Sequence, residues 1–253
     1  MTWKTVSASA IGTAHVSAGD VCQDTCFVDL LTSGGGRSYL VCLVSDGAGS
    51  AKFSARGADL ACTTAINAIQ ETLNEGRGLA VNDVTQWVGA VQVAIQRAAS
   101  EAKETARDYA CTLLGAVLGD DESVFFQIGD GAIVLTTDSA QGVVFWPDNG
   151  QYANMTHFVT DDDVAEHLQV CSVPLHAQEV ALLTDGLQRL ALVFESQMPH
   201  FAFFDPMYGV LRGKTPEDCD ALSAQLSLFL SGKQINDRTD DDKTLILATR
   251  RTA

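Results

Sequence analysis

The sequence lacks the features that mark several specialised protein classes. No apolar run approaches the roughly 20 residues needed to cross a bilayer. The opening, Met1-Thr2-Trp3-Lys4-Thr5-Val6-Ser7, has no charged-then-apolar leader pattern, so a cytoplasmic protein is expected. No two cysteines stand in C-x-x-C spacing. The seven, at 22, 26, 42, 62, 111, 171 and 219, are odd in number and scattered, some inside apolar runs such as Leu40-Val41-Cys42-Leu43-Val44. That spacing excludes a zinc ribbon or a disulfide framework and predicts buried, reduced thiols. Basic side chains are few: 16 Lys and Arg face 32 Asp and Glu, a net charge of −16. A field of that sign repels nucleic acid and anionic lipid, so neither is an expected partner. Internal repeats, low-complexity tracts and long linkers are also missing.

What is present is an ordinary globular balance, 46% apolar and 19% charged over 253 residues. That length buries a full core, and residues 1–253 read as a single domain. Residues 5–11 and 24–31 have strand character, and 38–46 form a continuous apolar run that reads as a buried strand. Ala58, Ala61, Ala65 and Ile69 share one face of a helix running from Ser54 to about Leu73. A second helix is expected from Asn82 or Asp83 to about Arg107, with Val84, Val88, Val91, Ile95 and Ala98 on one face. Residues 111–118, 123–129 and 132–137 read as an antiparallel meander. A flap-like insert is expected over 139–178, with weak strand signals near 155–159. Residues 179–184 are a strand and a short helix follows from Leu187. The segment 194–218 is expected to be irregular, 219–230 helical, and 244–249 a final strand. The implied class is α+β, with two packed sheets and helices outside.

Four carboxylates share one placement, at the boundary of a strand and a turn. They are Asp46 in Ser45-Asp46-Gly47-Ala48-Gly49, Asp130 in Gly129-Asp130-Gly131, Asp185 in Thr184-Asp185-Gly186, and Asp241 just before the last strand. Taken singly, an Asp-Gly after a strand is usually a turn. Four at matching positions can converge at one sheet end, where they repel unless a cation neutralises them. All-oxygen ligation favours Mg²⁺ or Mn²⁺. The triple Asp161-Asp162-Asp163 has another context and reads as a solvated turn that starts a helix. Competing motifs fail. Gly47-Ala48-Gly49-Ser50-Ala51-Lys52 lacks the last glycine of G-x-G-x-x-G, Ser50 sits in no G-x-S-x-G elbow, and the five histidines show no zinc spacing.

The ordered set Cys22-Gln23-Asp24, Ser45-Asp46-Gly47-Ala48-Gly49, Gly129-Asp130-Gly131, Thr184-Asp185-Gly186 and Asp241-Asp242-Lys243-Thr244 resembles the motifs of PP2C-type (PPM) Ser/Thr phosphatases. The match runs from about residue 8 to 250 and looks closest to a short bacterial branch, to which the stretch from Gly150 to Phe158 is also similar. The resemblance implies a four-layer α-β-β-α sandwich with two Mg²⁺ or Mn²⁺ ions at one end and a third, weaker metal. By motif, Asp46 would bridge two metals, the Gly47 carbonyl would bind one, and Asp185 and Asp241 would complete the other. Asp24 would bind directly or through water, and Asp130 with Asp185 would hold the third. The implied reaction is attack of a metal-bridged hydroxide on phosphoserine or phosphothreonine, with no phosphoenzyme. Implied partners are a phosphoprotein, a Ser/Thr kinase and a von Willebrand A-type protein.

Three departures accompany the match. The arginine that many relatives place shortly before the Gln/Glu-Asp pair is missing, since that stretch is Ala18-Gly19-Asp20. Lys52, Arg56 and Arg189 are the candidate replacements for gripping phosphate; His15 could instead act near the site, although a structural imidazole is the expectation. Ala48 stands where eukaryotic relatives have a histidine assigned as general acid. The insert between the Asp130 and Asp185 motifs has its own pattern, so specificity does not transfer. Two alternatives follow: a pseudophosphatase that binds a phosphoprotein or kinase without turnover, and a phosphatase for a small phosphorylated metabolite.

Overall fold

The structure, a computed structural model, describes residues 2–147 and 156–252. The stretch 150–155 of the family-like segment, and the part of the expected insert over 148–155, lie outside the described residues.

Twelve strands form among the described residues: β1 (Lys4–Ala10), β2 (Asp24–Thr32), β3 (Ser38–Asp46), β4 (Leu113–Leu118), β5 (Ser123–Ile128), β6 (Ala132–Thr136), β7 (Gln141–Val143), β8 (Gln169–Val173), β9 (Glu179–Leu183), β10 (Leu192–Val193), β11 (Met198–Pro199) and β12 (Lys243–Thr249). The helices are α1 (Thr13–Ala18), α2 (Ser54–Asn74), α3 (Val81–Ala102), α4 (Val164–His167), α5 (Gln188–Ala191), α6 (Phe201–Arg212), α7 (Cys219–Leu230) and α8 (Lys233–Asn236). One sheet has the order β1-β12-β9-β6-β7 and the other β2-β3-β4-β5-β8; β10 and β11 pair as a small ribbon. All the strand pairings are antiparallel.

Three apolar layers separate four structural ones. Along β3, Tyr39, Val41 and Leu43 pack with α2 and α3, while Leu40, Cys42 and Val44 face the other sheet. Along β12, Leu245 and Leu247 pack toward α6 and α7, while Ile246 and Ala248 point into the layer between the sheets. A strand covered on both faces needs apolar residues at successive positions, so these two segments read as continuous runs rather than alternations. Each fully buried aliphatic side chain contributes about 1.5–3 kcal/mol. The expected sandwich of two antiparallel sheets flanked by helices is therefore the observed fold. All seven cysteines are free thiols. Among the described residues no helix is long and apolar enough to cross a membrane.

Several local expectations change. The second long helix stops at Ala102, five residues short of Arg107, because Lys103 turns into the left-handed region at φ 60°. The meander over 111–137 is split. β4 pairs with β5, but β6 pairs with β9 in the opposite sheet, so the Gly129-Asp130-Gly131 turn carries the chain from one sheet to the other. Strand patterning records that both runs are buried and is blind to which sheet each joins. Residues 201–212, expected to be irregular, form α6 despite Pro206 inside it. Phe204, Tyr208 and Leu211 are buried at helical spacing, and their packing outweighs the lost backbone bond. Residues 156–159, where a weak strand signal was expected, form no strand; the strand of this region is β8, at the edge of its sheet. The three aspartates 161–163 do end in a turn that starts α4 at Val164.

Candidate functional site

All five carboxylates come to one end of the sandwich because each lies at a strand end on that side. The antiparallel register of β2 and β3 sets Asp24 directly opposite Asp46. The register of β9 and β12 pairs Leu183 with Leu245, which brings the turn at Asp185 beside the approach to β12 at Asp241. The sheet-crossing turn supplies Asp130. A cavity of about 220 Å³ is lined by Asp46, Gly47, Asp130, Asp185, Asp241 and His15 among others. Asp24 lies behind Asp46, buried, and is not part of the cavity wall.

Asp24, Asp130, the backbone of Asp46 and the adjacent Asp242 are held by polar neighbours. Asp24 Oδ2 accepts from Thr184 Oγ1 at 2.7 Å and from Thr244 Oγ1 at 2.8 Å. The Asp46 amide donates to Thr112 Oγ1 at 2.9 Å, and its carbonyl accepts from the Thr112 amide at 2.8 Å. Thr156 Oγ1 donates to Asp130 Oδ2 at 2.8 Å. Asp242 is 2% exposed. Its Oδ1 accepts from the Gly12 amide and its Oδ2 from the Gln23 amide, both at 2.6 Å. It thereby ties the segment before α1 and the start of β2 to the start of β12. Thr184, Asp242 and Thr244 all sit inside the motifs quoted above. The visible signal was a polar residue directly beside a named aspartate, Thr184 before Asp185 and Asp242 after Asp241.

The electrostatics are those of crowded anions. Burial, opposed by the two threonine hydrogen bonds, pushes Asp24 up to about 7. Asp185 also rises to about 7, from burial and then the charges of Asp130 and Asp241. Asp46 keeps a solvent-facing edge on the cavity, yet desolvation is still the main cause of its rise well above the carboxylate range, followed by the charges of Asp24 and Asp185. Burial raises Asp130. Asp24 Oδ1 and Asp185 Oδ1 are buried without a hydrogen-bond partner among the described residues. Unpaired buried carboxylate oxygens are costly and suit a hard cation. The carboxylates feel one another's charge, but among the described residues no three His, Cys, Asp or Glu side chains already stand as a metal-holding group. The oxygen shell is open, and closing it is what a cation would contribute. The donor set fits Mg²⁺ or Mn²⁺ by ligand chemistry and orphaned oxygens, without fixing how many ions bind.

The three Asp-Gly turns depend on close backbone approach. A Cβ at Gly47 would fall 2.6 Å from the Ser54 carbonyl carbon, and one at Gly186 would fall 2.0 Å from the Asp242 carbonyl oxygen. Gly186→Ala should therefore separate the Asp185 turn from the start of β12. The expected cost is about 2–3 kcal/mol, read as a lowered denaturant midpoint. A midpoint within about 0.5 kcal/mol of the parent would show that the turn shifts freely.

Of the three basic candidates, one reaches the site. Arg189 lines a cavity of about 690 Å³ that also contains Asp130, Asp185, Asp241 and Arg238, a second arginine the sequence reading omitted. Lys52 is exposed, ion-paired with Glu104 and laid over the Phe53 ring. Arg56 lines a separate shallow cavity with Leu60, Arg97 and Glu101. Neither lines the carboxylate cavity. His15, for which a role near the site stood beside the expected structural one, does.

Comparison with known proteins agrees with this architecture. A family model described as "Protein phosphatase 2C" matches residues 11–231. The chain is 41% identical over 251 residues to "Serine/threonine-protein phosphatase 3" of Escherichia coli (strain K12), covering 98% of each chain. A crystal structure of a bacterial serine phosphatase superposes with a TM-score of 0.62 at 14% identity, covering 100% of this chain and 99% of that one. The serine/threonine phosphatase Stp1 from Staphylococcus aureus superposes with a TM-score of 0.60 at 14% identity, covering 98% and 95%. At that identity the structural matches speak for the fold alone.

Proposed function

The chain belongs to the protein phosphatase 2C family, and from that premise we propose that it is a metal-dependent protein serine/threonine phosphatase acting on phosphoserine and phosphothreonine in a phosphoprotein. The observation that carries the reading is the convergence of Asp46, Asp130, Asp185 and Asp241 on one cavity, with Asp24 behind them. In this reading Asp46, the Gly47 carbonyl, Asp185 and Asp241 would hold two divalent cations, and Asp24 and Asp130 would complete the set, Asp130 toward a third. When bound, the cations supply positive charge that polarises water for attack on phosphorus and offsets the charge of the phosphate.

The chain's own residues do the rest. Thr184 and Thr244 fix one Asp24 oxygen and leave the other available. Thr112 clamps the backbone of Asp46, and Thr156 orients Asp130. Arg189 stands beside the carboxylates in the larger cavity, where it can meet a substrate oxygen. Direct attack by water also suits the shortage of alternatives. Cys22 is pushed up to about 12, first by burial and then by Asp24, and burial raises Cys26, so neither is a thiolate near neutrality. Among the described residues no base is hydrogen-bonded to Ser50. A phosphoprotein of this kind is made by a kinase, so an opposing Ser/Thr kinase is the partner class the reaction requires.

The test is hydrolysis of a phosphothreonine peptide with Mn²⁺, with Mg²⁺ and with EDTA. Turnover should require a divalent cation and fall to background in EDTA. A folded protein with no turnover under any metal would replace this reading with a binding role. A strong preference for small phosphate esters would move it to metabolite chemistry.

A further inference from the structure

Among the described residues His15 is the one side chain lining the carboxylate cavity that can carry positive charge. It leaves α1 and is 18% exposed. Its Nδ1 lies 3.0 Å from Asp242 Oδ1, an ion-pair distance, although its alignment falls outside a good hydrogen bond. Asp242 cannot easily turn away, because two backbone amides, from Gly12 and Gln23, hold its two oxygens. Among the described residues no hydrogen bond engages His15 Nε2. The ring therefore has one nitrogen committed to a buried carboxylate and the other available at a cavity whose remaining ionisable lining is Asp46, Asp130, Asp185 and Asp241.

We propose that His15, oriented by Asp242, is the general acid that protonates the serine or threonine oxygen as it leaves phosphorus. This rests on the reading of the cavity as the phosphatase site. A bond forms between the attacking water oxygen and phosphorus, and the bond from phosphorus to the side-chain oxygen breaks. The departing oxygen takes the proton from Nε2, giving the free hydroxyl. The neutral imidazole is recharged by the proton that the attacking water sheds to solvent. The carboxylate of Asp242, 3.0 Å from Nδ1, favours the charged form of the imidazole. Inorganic phosphate and an alcohol are the only products, so the balance needs no further reactant. An alkoxide is a poor leaving group and gains most from this proton, whereas 4-nitrophenolate needs little help.

The experiment compares wild type, His15→Gln, His15→Asn and Asp46→Asn on a phosphothreonine peptide and on aryl phosphates of graded leaving-group pKa. Thermal melts confirm that each variant is folded. The His15 variants should lose about 10²-fold or more on the peptide and less than about tenfold on 4-nitrophenyl phosphate. Their rates should also depend more steeply on leaving-group pKa than those of wild type. An equal loss on all substrates would make His15 a positioning residue and overturn the proposal, as would the absence of any loss. Asp46→Asn separates the two levels. If it loses both substrates while the His15 variants show no leaving-group bias, the site stands and the general acid falls. If wild type turns over neither substrate, both readings fall.

Discussion

Asp46→Asn should lower metal-dependent phosphopeptide turnover on the order of 10³-fold while raising the melting temperature of the cation-free protein by a few degrees. Removal of an outer partner of a metal ligand costs about 10–100-fold, so loss of a direct ligand should cost more. The stability gain has a separate cause. Asp46 ends β3 directly across from Asp24 and is pushed upward by desolvation and by the charges of Asp24, Asp185 and Asp241. Asparagine keeps the shape and the two backbone bonds to Thr112 while deleting one of the crowded charges. Paired kinetics and melts in EDTA check both halves. Turnover within tenfold of wild type would remove Asp46 from the centre of the site. A fall in melting temperature would mean that its carboxylate stabilises the fold.

The second large effect is an inverted pH dependence of the cation-free protein. Folded proteins commonly lose stability in acid because paired carboxylates must be protonated. Here Asp24 and Asp185 rise to about 7, and Asp46 and Asp130 also shift upward. A raised carboxyl means that the folded state binds more protons than the unfolded chain between the ordinary value near 4 and the folded value. Its stabilisation is therefore complete below about pH 4 and is lost as pH climbs through about 7. His15, also raised, acts in the same direction at the upper end. Asp83, lowered by the Arg77 hydrogen bond, acts oppositely, but only as pH falls below the ordinary carboxylate value. In EDTA the melting temperature should fall between about pH 5 and 8. Mn²⁺ at a hundredfold excess over its Kd should restore about 2.7 kcal/mol. The cation should help more at the alkaline end, because protons compete for the same oxygens at the acid end. Melts in EDTA and in MnCl₂ across that range decide the matter. A flat or rising EDTA curve, or no response to Mn²⁺ at pH 8, would sink the idea that these carboxylates form a cation site.

The chain alone determined the class of fold and the identity of the carboxylates. A run such as Tyr39 to Val44 is apolar at every position only if both faces of the strand are covered, and that demands helices outside and a second sheet behind. Asp46-Gly47 and Asp185-Gly186 announced themselves because a close backbone approach admits glycine alone. Tertiary structure decided three things that no local pattern records. It assigned β4 and β6 to different sheets, a matter of long-range pairing. It separated Arg189, which lines a cavity with three of the aspartates, from Lys52, paired with Glu104, and Arg56, which lines another cavity, although the three look alike as charges in sequence. It also joined His15 to Asp242 across 227 residues of chain. The pair exists because Asp242, already anchored by Gly12 and Gln23, stands where α1 leaves β1, and only the antiparallel pairing of β1 with β12 brings those two ends together.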